Sequence, residues 1–174
     1  CEHLPAFAPL GVVSFDSTSP LRQAFKDDRD NYYAPRRNYS AIRVPQVDGN
    51  ARLKADIKAG RVDQSRARIH EQLSLRRLRD FDLGACSTDA VIEALSAYAD
   101  VVEPDRDRAG EYRELLEAAP WKRCPCGICE RVGIQVVIFR GTERNKRRGF
   151  HNLYVFGRRL NKHLKAPSLA SALS

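Results

Sequence analysis

Apolar residues recur at helical spacing through the middle of the chain. They predict a helix over residues 62–81 that ends before Gly84, a second helix capped by Ser87 or Thr88, and a third over residues 105–119. The apolar side of each helix is expected to face the core. Its members are Ile69, Leu73 and Leu78 in the first helix, Val91, Ile92, Leu95, Tyr98 and Val102 in the second, and Tyr112, Leu115 and Leu116 in the third.

Short apolar, β-branched runs predict strands towards both ends of the chain. Residues 11–15 (GVVSF) form one run, with Asp16 at its carboxyl end, and residues 134–139 form another. Residues 141–149 predict a basic loop, and residues 151–164 predict a closing helix.

These elements divide the chain into four segments. We expect residues 1–25 to hold a strand and a functional loop. Residues 26–119 are expected to form a loop and helical insertion, and the polar sequence of residues 21–50 predicts irregular structure before its first helix. Residues 120–166 follow as a cysteine-containing subdomain with the closing helix, and residues 167–174 as a tail of small residues.

Composition bounds the class of protein. A hydrophobic fraction of 43% with 30% charged residues in 174 positions excludes a fibrous or wholly disordered chain. The longest apolar run, residues 132–139, is far shorter than the ~18 residues of a membrane span, so we expect a cytoplasmic protein without a membrane partner. The sequence has no methionine, even at position 1, which favours a part of a longer protein.

Positive charge is concentrated near the end of the chain. The formal net charge is +8, and between residues 140 and 165 Glu143 alone opposes nine basic residues. Such a concentration favours a nucleic-acid partner, although a solvated helix face explains many charge runs. The nine are Arg140, Arg144, Lys146, Arg147, Arg148, Arg158, Arg159, Lys162 and Lys165.

Three of the five cysteines, Cys124, Cys126 and Cys129, lie within six residues. This C-x-C-x-x-C spacing suits thiolates that converge on one soft metal ion better than it suits disulfides. Zinc would need a fourth sulfur or nitrogen ligand. The candidates are Cys1, Cys86, His70, His151 and His163.

Two stretches, GVVSFDSTSPLR near the start of the chain and CPCGIC followed by FHNLYVF near its end, resemble motifs of the tRNA-guanine transglycosylase (queuine tRNA-ribosyltransferase) superfamily. GVVSFDSTSPLR is similar to a family strand that ends in Phe-Asp and continues to a Pro and an Arg. CPCGIC followed by FHNLYVF is similar to the family's zinc site of three cysteines and one histidine. The similar stretches are residues 10–25 and 120–165.

The resemblance implies an α/β fold, namely the C-terminal portion of a TIM (β/α)8 barrel with a zinc-binding subdomain and a mostly helical middle. Asp16 would be the catalytic nucleophile, which attacks the sugar C1′ as guanine leaves, and Arg22 would contact the nucleic-acid backbone. Cys124, Cys126, Cys129 and His151 would bind one structural Zn²⁺. From the basic stretch we expect nucleic-acid contacts by Arg140, Arg144, Lys146, Arg147 and Arg148.

The sequence also departs from the tRNA enzymes. Ser17 stands where they have Cys, and QAFKDD stands where they have a second loop arginine. Cys124 lies 108 positions after Asp16, whereas the tRNA enzymes have only a few tens of residues between the two. The run IFRGTERNKRRGFHN looks more like the divergent branch that inserts 7-deazaguanine into DNA.

The expected function is therefore that of a pentosyltransferase which exchanges guanine for a 7-deazaguanine base in DNA or tRNA. The 174-residue chain would be an incomplete and by itself inactive part of it. Two other functions remain open: a non-catalytic nucleic-acid-binding zinc module, and a structural subdomain that builds a homodimer or docks a partner subunit.

Overall fold

A computed structural model describes residues 17–27 and 29–165 of the chain. This part is mostly helical with two small sheets. The helices are α1 (Ser19–Gln23), α2 (Ala51–Lys58), α3 (Gln64–Asp82), α4 (Thr88–Val102), α5 (Ala109–Ala118), α6 (Gly127–Val132) and α7 (Gly141–Lys165). The strands are β1 (Tyr32–Tyr33), β2 (Asn38–Tyr39), β3 (Ile42–Arg43) and β4 (Ile138–Phe139), and 3-10 helices span Pro120–Arg123 and Gly133–Val137.

The helices predicted in the middle of the chain are confirmed as α3, α4 and α5. Ser87, one of the two predicted caps, accepts a hydrogen bond from the Ala90 N–H at 3.2 Å. Gly84 follows the end of α3 with φ +78°, a left-handed conformation that favours glycine. Local signals therefore sufficed to locate these helices. The predicted core-facing side of α3 is wrong at Ile69 and Leu73, which are 65% and 37% exposed, whereas Leu78 is buried as expected.

Helix α2 was not predicted. Its one buried residue is Leu53, so the segment shows almost no apolar periodicity. The signal that sequence reasoning missed is Asn50, whose side chain accepts a hydrogen bond from the Leu53 N–H at 3.0 Å.

Two predictions near the end of the chain are wrong. The predicted basic loop of residues 141–149 is the first part of α7, one continuous helix of 25 residues. The predicted strand of residues 134–139 is mostly a 3-10 helix, and only Ile138–Phe139 pair as a strand. Asp82 contributes to the second difference, because its carboxylate accepts a hydrogen bond from the Ile134 N–H at 2.9 Å and so occupies a donor that a strand would use for pairing.

The two sheets are small but place distant segments side by side. Strands β1 and β2 form an antiparallel hairpin in which Tyr32 pairs with Tyr39. Strands β3 and β4 are parallel, with Ile42 opposite Ile138. The second pair joins the region before the helices to the region after them.

One hydrophobic core runs through the described part of the chain. It includes Leu95 of α4, Leu116 of α5, Ile134, Trp121 and Cys129, so the helical region and the cysteine-containing region share it. Polar contacts cross the same boundary. Asp82, for example, accepts a hydrogen bond from the Trp121 indole N–H at 2.7 Å.

A buried ion pair also crosses this boundary. The Arg140 guanidinium contacts the Glu71 carboxylate, and only 11% of each side chain is exposed. Glu71 additionally accepts a hydrogen bond from the Val47 N–H at 2.9 Å. Within residues 17–27 and 29–165 no helix is long and apolar enough to span a membrane.

Candidate metal centre

Four side chains predicted as metal ligands meet at one point. The donor atoms of Cys124, Cys126, Cys129 and His151 all lie within 4.8 Å of one another. His151 Nδ1 lies 3.7, 3.4 and 3.3 Å from the Sγ atoms of Cys124, Cys126 and Cys129, respectively. Among the candidates whose side chains the structure describes, His151 takes the fourth position, and Cys86 and His70 lie outside the cluster. Cys1 and the His163 side chain lie outside the described part of the chain.

Local chain geometry explains how three cysteines so close in sequence converge. Cys124 follows the 3-10 helix Pro120–Arg123, and Cys126 is the N-cap residue of α6. The Cys126 Sγ accepts a hydrogen bond from the Cys129 N–H at 3.3 Å. This capping contact turns Cys129 towards the same point and directs an N–H dipole at the Cys126 sulfur.

The donor set fits zinc. Zinc bound tetrahedrally by sulfur at ~2.3 Å and nitrogen at ~2.0–2.1 Å holds these two ligand types about 3.6 Å apart. The three observed Nδ1–Sγ distances of 3.3–3.7 Å surround that value. Three soft sulfurs and one imidazole nitrogen also match the ligand chemistry of structural zinc sites. The four residues could therefore hold one such ion.

The thiols share negative charge unequally. A hydrogen bond with the Cys129 thiol lowers the pKa of Cys124 to about 4, and the same contact raises the pKa of Cys129 above its ordinary value. Burial raises the pKa of Cys126. A divalent cation would favour the thiolate form of all three, because it offsets their mutual repulsion.

Strand β1 supports the imidazole from two sides. The Tyr33 carbonyl lies 2.7 Å from His151 Nε2 and can accept a hydrogen bond from its N–H, which leaves Nδ1 free to bind a metal. The Tyr32 ring is stacked on the imidazole with a centroid separation of 4.4 Å. Burial raises the pKa of the Tyr32 hydroxyl, which therefore stays neutral 3.8 Å from the Cys129 sulfur. Sequence reasoning missed both tyrosines, which lie in a stretch predicted to be irregular.

Asn152 connects this centre to α1. Its side chain donates hydrogen bonds to the carbonyls of Pro20 and Asn31, both at 3.1 Å, and accepts one from the Tyr33 N–H at 2.9 Å. The residue next to the candidate ligand His151 therefore anchors the segment that follows Asp16. Asp16 itself lies outside the described residues.

The predicted nucleic-acid contacts are distributed over very different environments. Arg148 is fully buried, and its guanidinium donates hydrogen bonds to the carbonyls of Ala24 at 2.6 Å and Ile138 at 3.1 Å. Arg140 contacts Glu71, and Arg144 donates two hydrogen bonds to the Gln135 side chain at 2.8 and 3.0 Å. These contacts explain why the three arginines face the protein.

The other predicted contact residues are exposed. Lys146 lies on the surface 3.0 Å from the Glu143 carboxylate, and Arg147 lies beside it. Arg22 is exposed on α1. The structure therefore leaves Arg22, Lys146 and Arg147 accessible to a ligand and places Arg140, Arg144 and Arg148 against the protein interior.

Comparison with known proteins agrees with the motif resemblance. No family model matches the chain. A curated relative from Salmonella montevideo, named DNA-guanine transglycosylase, is 45% identical over 172 residues. The match covers 96% of this chain and 41% of the relative, so the chain spans about two fifths of the relative's length. The resemblance to the tRNA-guanine transglycosylase superfamily is thereby confirmed, and the chain is homologous to part of a DNA-guanine transglycosylase.

Proposed function

We propose that this chain is part of a zinc-containing transglycosylase that exchanges guanine for a 7-deazaguanine base in DNA. The observation that carries the proposal is the 45% identity, over 96% of the chain, to a protein named DNA-guanine transglycosylase. The name of that relative favours DNA over tRNA, the other substrate that the sequence left open. The reaction belongs to the complete protein, of which this chain would be an inactive portion.

Asp16 is the proposed nucleophile. Its carboxylate would form a bond to the sugar C1′ as the bond from C1′ to guanine breaks, and the incoming base would then displace the carboxylate from the same carbon. Such a carboxylate suits the carboxyl end of a barrel strand, the position at which TIM barrels carry catalytic groups. We accordingly propose that residues 1–25 supply the last barrel strand and its loop.

The anchoring of α1 supports this arrangement. The Ala24 and Pro20 carbonyls accept hydrogen bonds from Arg148 and Asn152, and both donors lie on α7. The loop that follows Asp16 is thus tied to the helix that carries His151. Rigid support of this kind is what a covalent mechanism needs to keep a carboxylate in line with C1′.

The proposed metal has a structural role. Four protein ligands leave no coordination position for water or substrate. A bound Zn²⁺ would crosslink the Cys124–Cys129 turn to α7 through His151 and fix the orientation of both.

The test is base exchange by the complete protein. Labelled guanine should enter DNA with the wild-type protein, and Asp16→Asn should abolish exchange while DNA binding persists. Exchange at the wild-type rate by Asp16→Asn would remove Asp16 from the mechanism. Exchange by the isolated 174-residue chain would contradict its assignment as an inactive portion. A tRNA substrate assayed in parallel decides between the polymers.

The net charge of +8 favours a second candidate, a non-catalytic nucleic-acid-binding zinc module. Under that function the complete protein would bind DNA and exchange no base, and Asp16→Asn would change neither property.

A further inference from the structure

A basic groove lies beside the candidate metal centre. It has a volume of about 900 Å³ and includes Cys124 in its wall. The β1–β2 turn, the residues around Cys124 and the second half of α7 form its sides. Six of its fourteen lining residues are basic and none is acidic. The basic residues are Arg36, Arg37, Arg123, Arg158, Arg159 and Lys162.

One of these cations builds the wall of the groove. Arg159 donates hydrogen bonds to the Ala34 carbonyl, to the Arg37 carbonyl at 3.2 Å and to the Asn38 side chain at 2.8 Å. Its guanidinium also lies 5.3 Å from the centre of the Tyr33 ring. These contacts hold the β1–β2 turn against α7, so the groove is preformed.

Two of the other cations have protein partners: Arg37 is ion-paired with Glu114, and Arg123 donates a hydrogen bond to the Ala118 carbonyl at 2.7 Å. Among the residues that the structure describes, Arg36 and Lys162 have no side-chain partner, and both are exposed. Arg158 is exposed and donates a hydrogen bond to the Tyr154 hydroxyl at 3.2 Å. Arg36, Arg158 and Lys162 are therefore the groove cations with neither a carboxylate nor a backbone carbonyl partner among the described residues, and the lining of the groove contains no carboxylate.

Tyrosine rings lie beside these cations. The Arg37 guanidinium is 4.6 Å from the centre of the Tyr39 ring, and Tyr154 is 36% exposed. Alternating cations and aromatic rings in a concave surface are typical of proteins that bind single nucleic-acid strands, since cations meet phosphates and rings stack on bases. An acidic protein segment would use the charges but would have no need for the rings.

We infer that this basic groove binds the sugar–phosphate backbone of a DNA strand. The inference rests on the proposed function for the identity of the polymer and deepens it by assigning the surface that holds the strand. It also moves the main contact from residues 140–148, where the sequence predicts it, to the second half of α7 and the β1–β2 turn. A strand held there would pass next to the candidate metal centre.

The experiment measures how tightly the zinc-loaded full chain binds a fluorescein-labelled single DNA strand of about 20 nucleotides. Fluorescence anisotropy reports the binding. The groove variant is Arg158→Gln with Lys162→Gln. The matched control is Arg66→Gln with Lys58→Gln, which removes the same charge from exposed positions on α3 and α2, outside the lining of the groove. Melting temperatures of all three proteins should agree, because every substituted side chain is exposed.

We expect the groove variant to bind about tenfold more weakly and the control to bind within about twofold of the wild type. The slope of log affinity against log salt should become shallower by about 1.4 in the groove variant, about 0.7 for each lost phosphate contact. Equal losses in the two variants, or none in the groove variant, would overturn the inference. So would displacement of the strand by polyglutamate as effectively as by unlabelled DNA.

Failure of this inference is distinguishable from failure of the proposed function. If the complete protein exchanges bases but the groove variant binds DNA normally, the groove assignment is wrong and the enzyme assignment holds. If the groove variant loses binding and the complete wild-type protein exchanges no base, the groove assignment holds and the enzyme assignment is wrong.

Discussion

The two halves of α7 are both rich in basic residues but use them differently. In residues 141–152 the fully buried Arg148 meets backbone carbonyls, and the exposed Lys146 lies 3.0 Å from the Glu143 carboxylate. In residues 153–162 Arg158 and Lys162 are exposed beside a groove whose lining has no acidic residue, whereas Arg159 meets backbone carbonyls in the groove wall. The difference teaches that a count of charges along the chain does not locate a binding surface. A basic residue is available to a ligand only where its charged group faces solvent and is not already bonded to protein carbonyls.

The first half of α7 has a buried polar stripe. Asn145, Arg148, Gly149 and Asn152 are buried at positions i, i+3, i+4 and i+7, the spacing of one helix face. Burial lowers the pKa of Arg148, and the carbonyls of Ala24 and Ile138 offset that loss of hydration by accepting hydrogen bonds from the charged form. In this half of the helix polar contacts occupy the place that apolar packing fills in α4.

The largest expected effect concerns His151, at the end of the first half. His151→Ala should lower zinc content from about one ion per chain to a small fraction and should destabilise the fold, since structural zinc contributes directly to folding free energy. Metal analysis with thermal unfolding measures both. His70→Ala is the control, because His70 lies outside the cluster. Full zinc content in His151→Ala would contradict the ligand assignment.

A second prediction compares one arginine from each half. Arg148→Met should lower the free energy of unfolding by about 2–4 kcal/mol, because buried carbonyls lose their donors. Arg158→Met should change it by less than about 0.5 kcal/mol, because the side chain is exposed. Urea unfolding measures both. Similar losses in the two variants would show that the halves do not differ as described.

A third prediction compares two asparagines. Asn152→Ala should lower the free energy of unfolding by about 2 kcal/mol, since the Pro20 and Asn31 carbonyls and the Tyr33 N–H each lose a hydrogen-bond partner. Asn161→Ala, at an exposed position of the same helix, should leave stability unchanged or slightly higher. Urea unfolding under identical buffer conditions checks the difference. A cost below about 0.5 kcal/mol for Asn152→Ala would mean that α1 is not anchored through this side chain.

The smallest expected effects concern two glycines and have opposite signs. A Cβ at Gly149 would lie 2.5 Å from the Leu21 Cδ1 and 3.4 Å from the Leu21 carbonyl oxygen, so Gly149→Ala should displace the Leu21 side chain from α7 and lower the free energy of unfolding by about 1 kcal/mol. A Cβ at Gly157 meets nothing within 4 Å, so Gly157→Ala should stabilise the helix by about 0.5–1 kcal/mol. Thermal unfolding of the pair resolves the signs, and equal signs would contradict the close approach of α1.

Much of the fold followed from local signals. Helices α3, α4 and α5 were predicted because their apolar side chains recur at helical spacing and their ends carry capping residues such as Ser87. The C-x-C-x-x-C spacing likewise predicted a metal site. Both kinds of pattern lie within a few residues of chain, where the geometry of one helix or turn determines which side chains share a face.

Tertiary structure alone decided the remainder. A buried polar stripe such as Arg148 and Asn152 has the same sequence pattern as a solvated one, because the pattern does not show which carbonyls pack against it. The support of His151 by Tyr32 and Tyr33 requires a contact across more than a hundred residues of chain. The basic groove exists because Arg159 fastens the β1–β2 turn to α7. Local sequence patterns determined helices α3, α4 and α5 and the cysteine cluster, whereas long-range packing determined which charges remain free to meet a ligand.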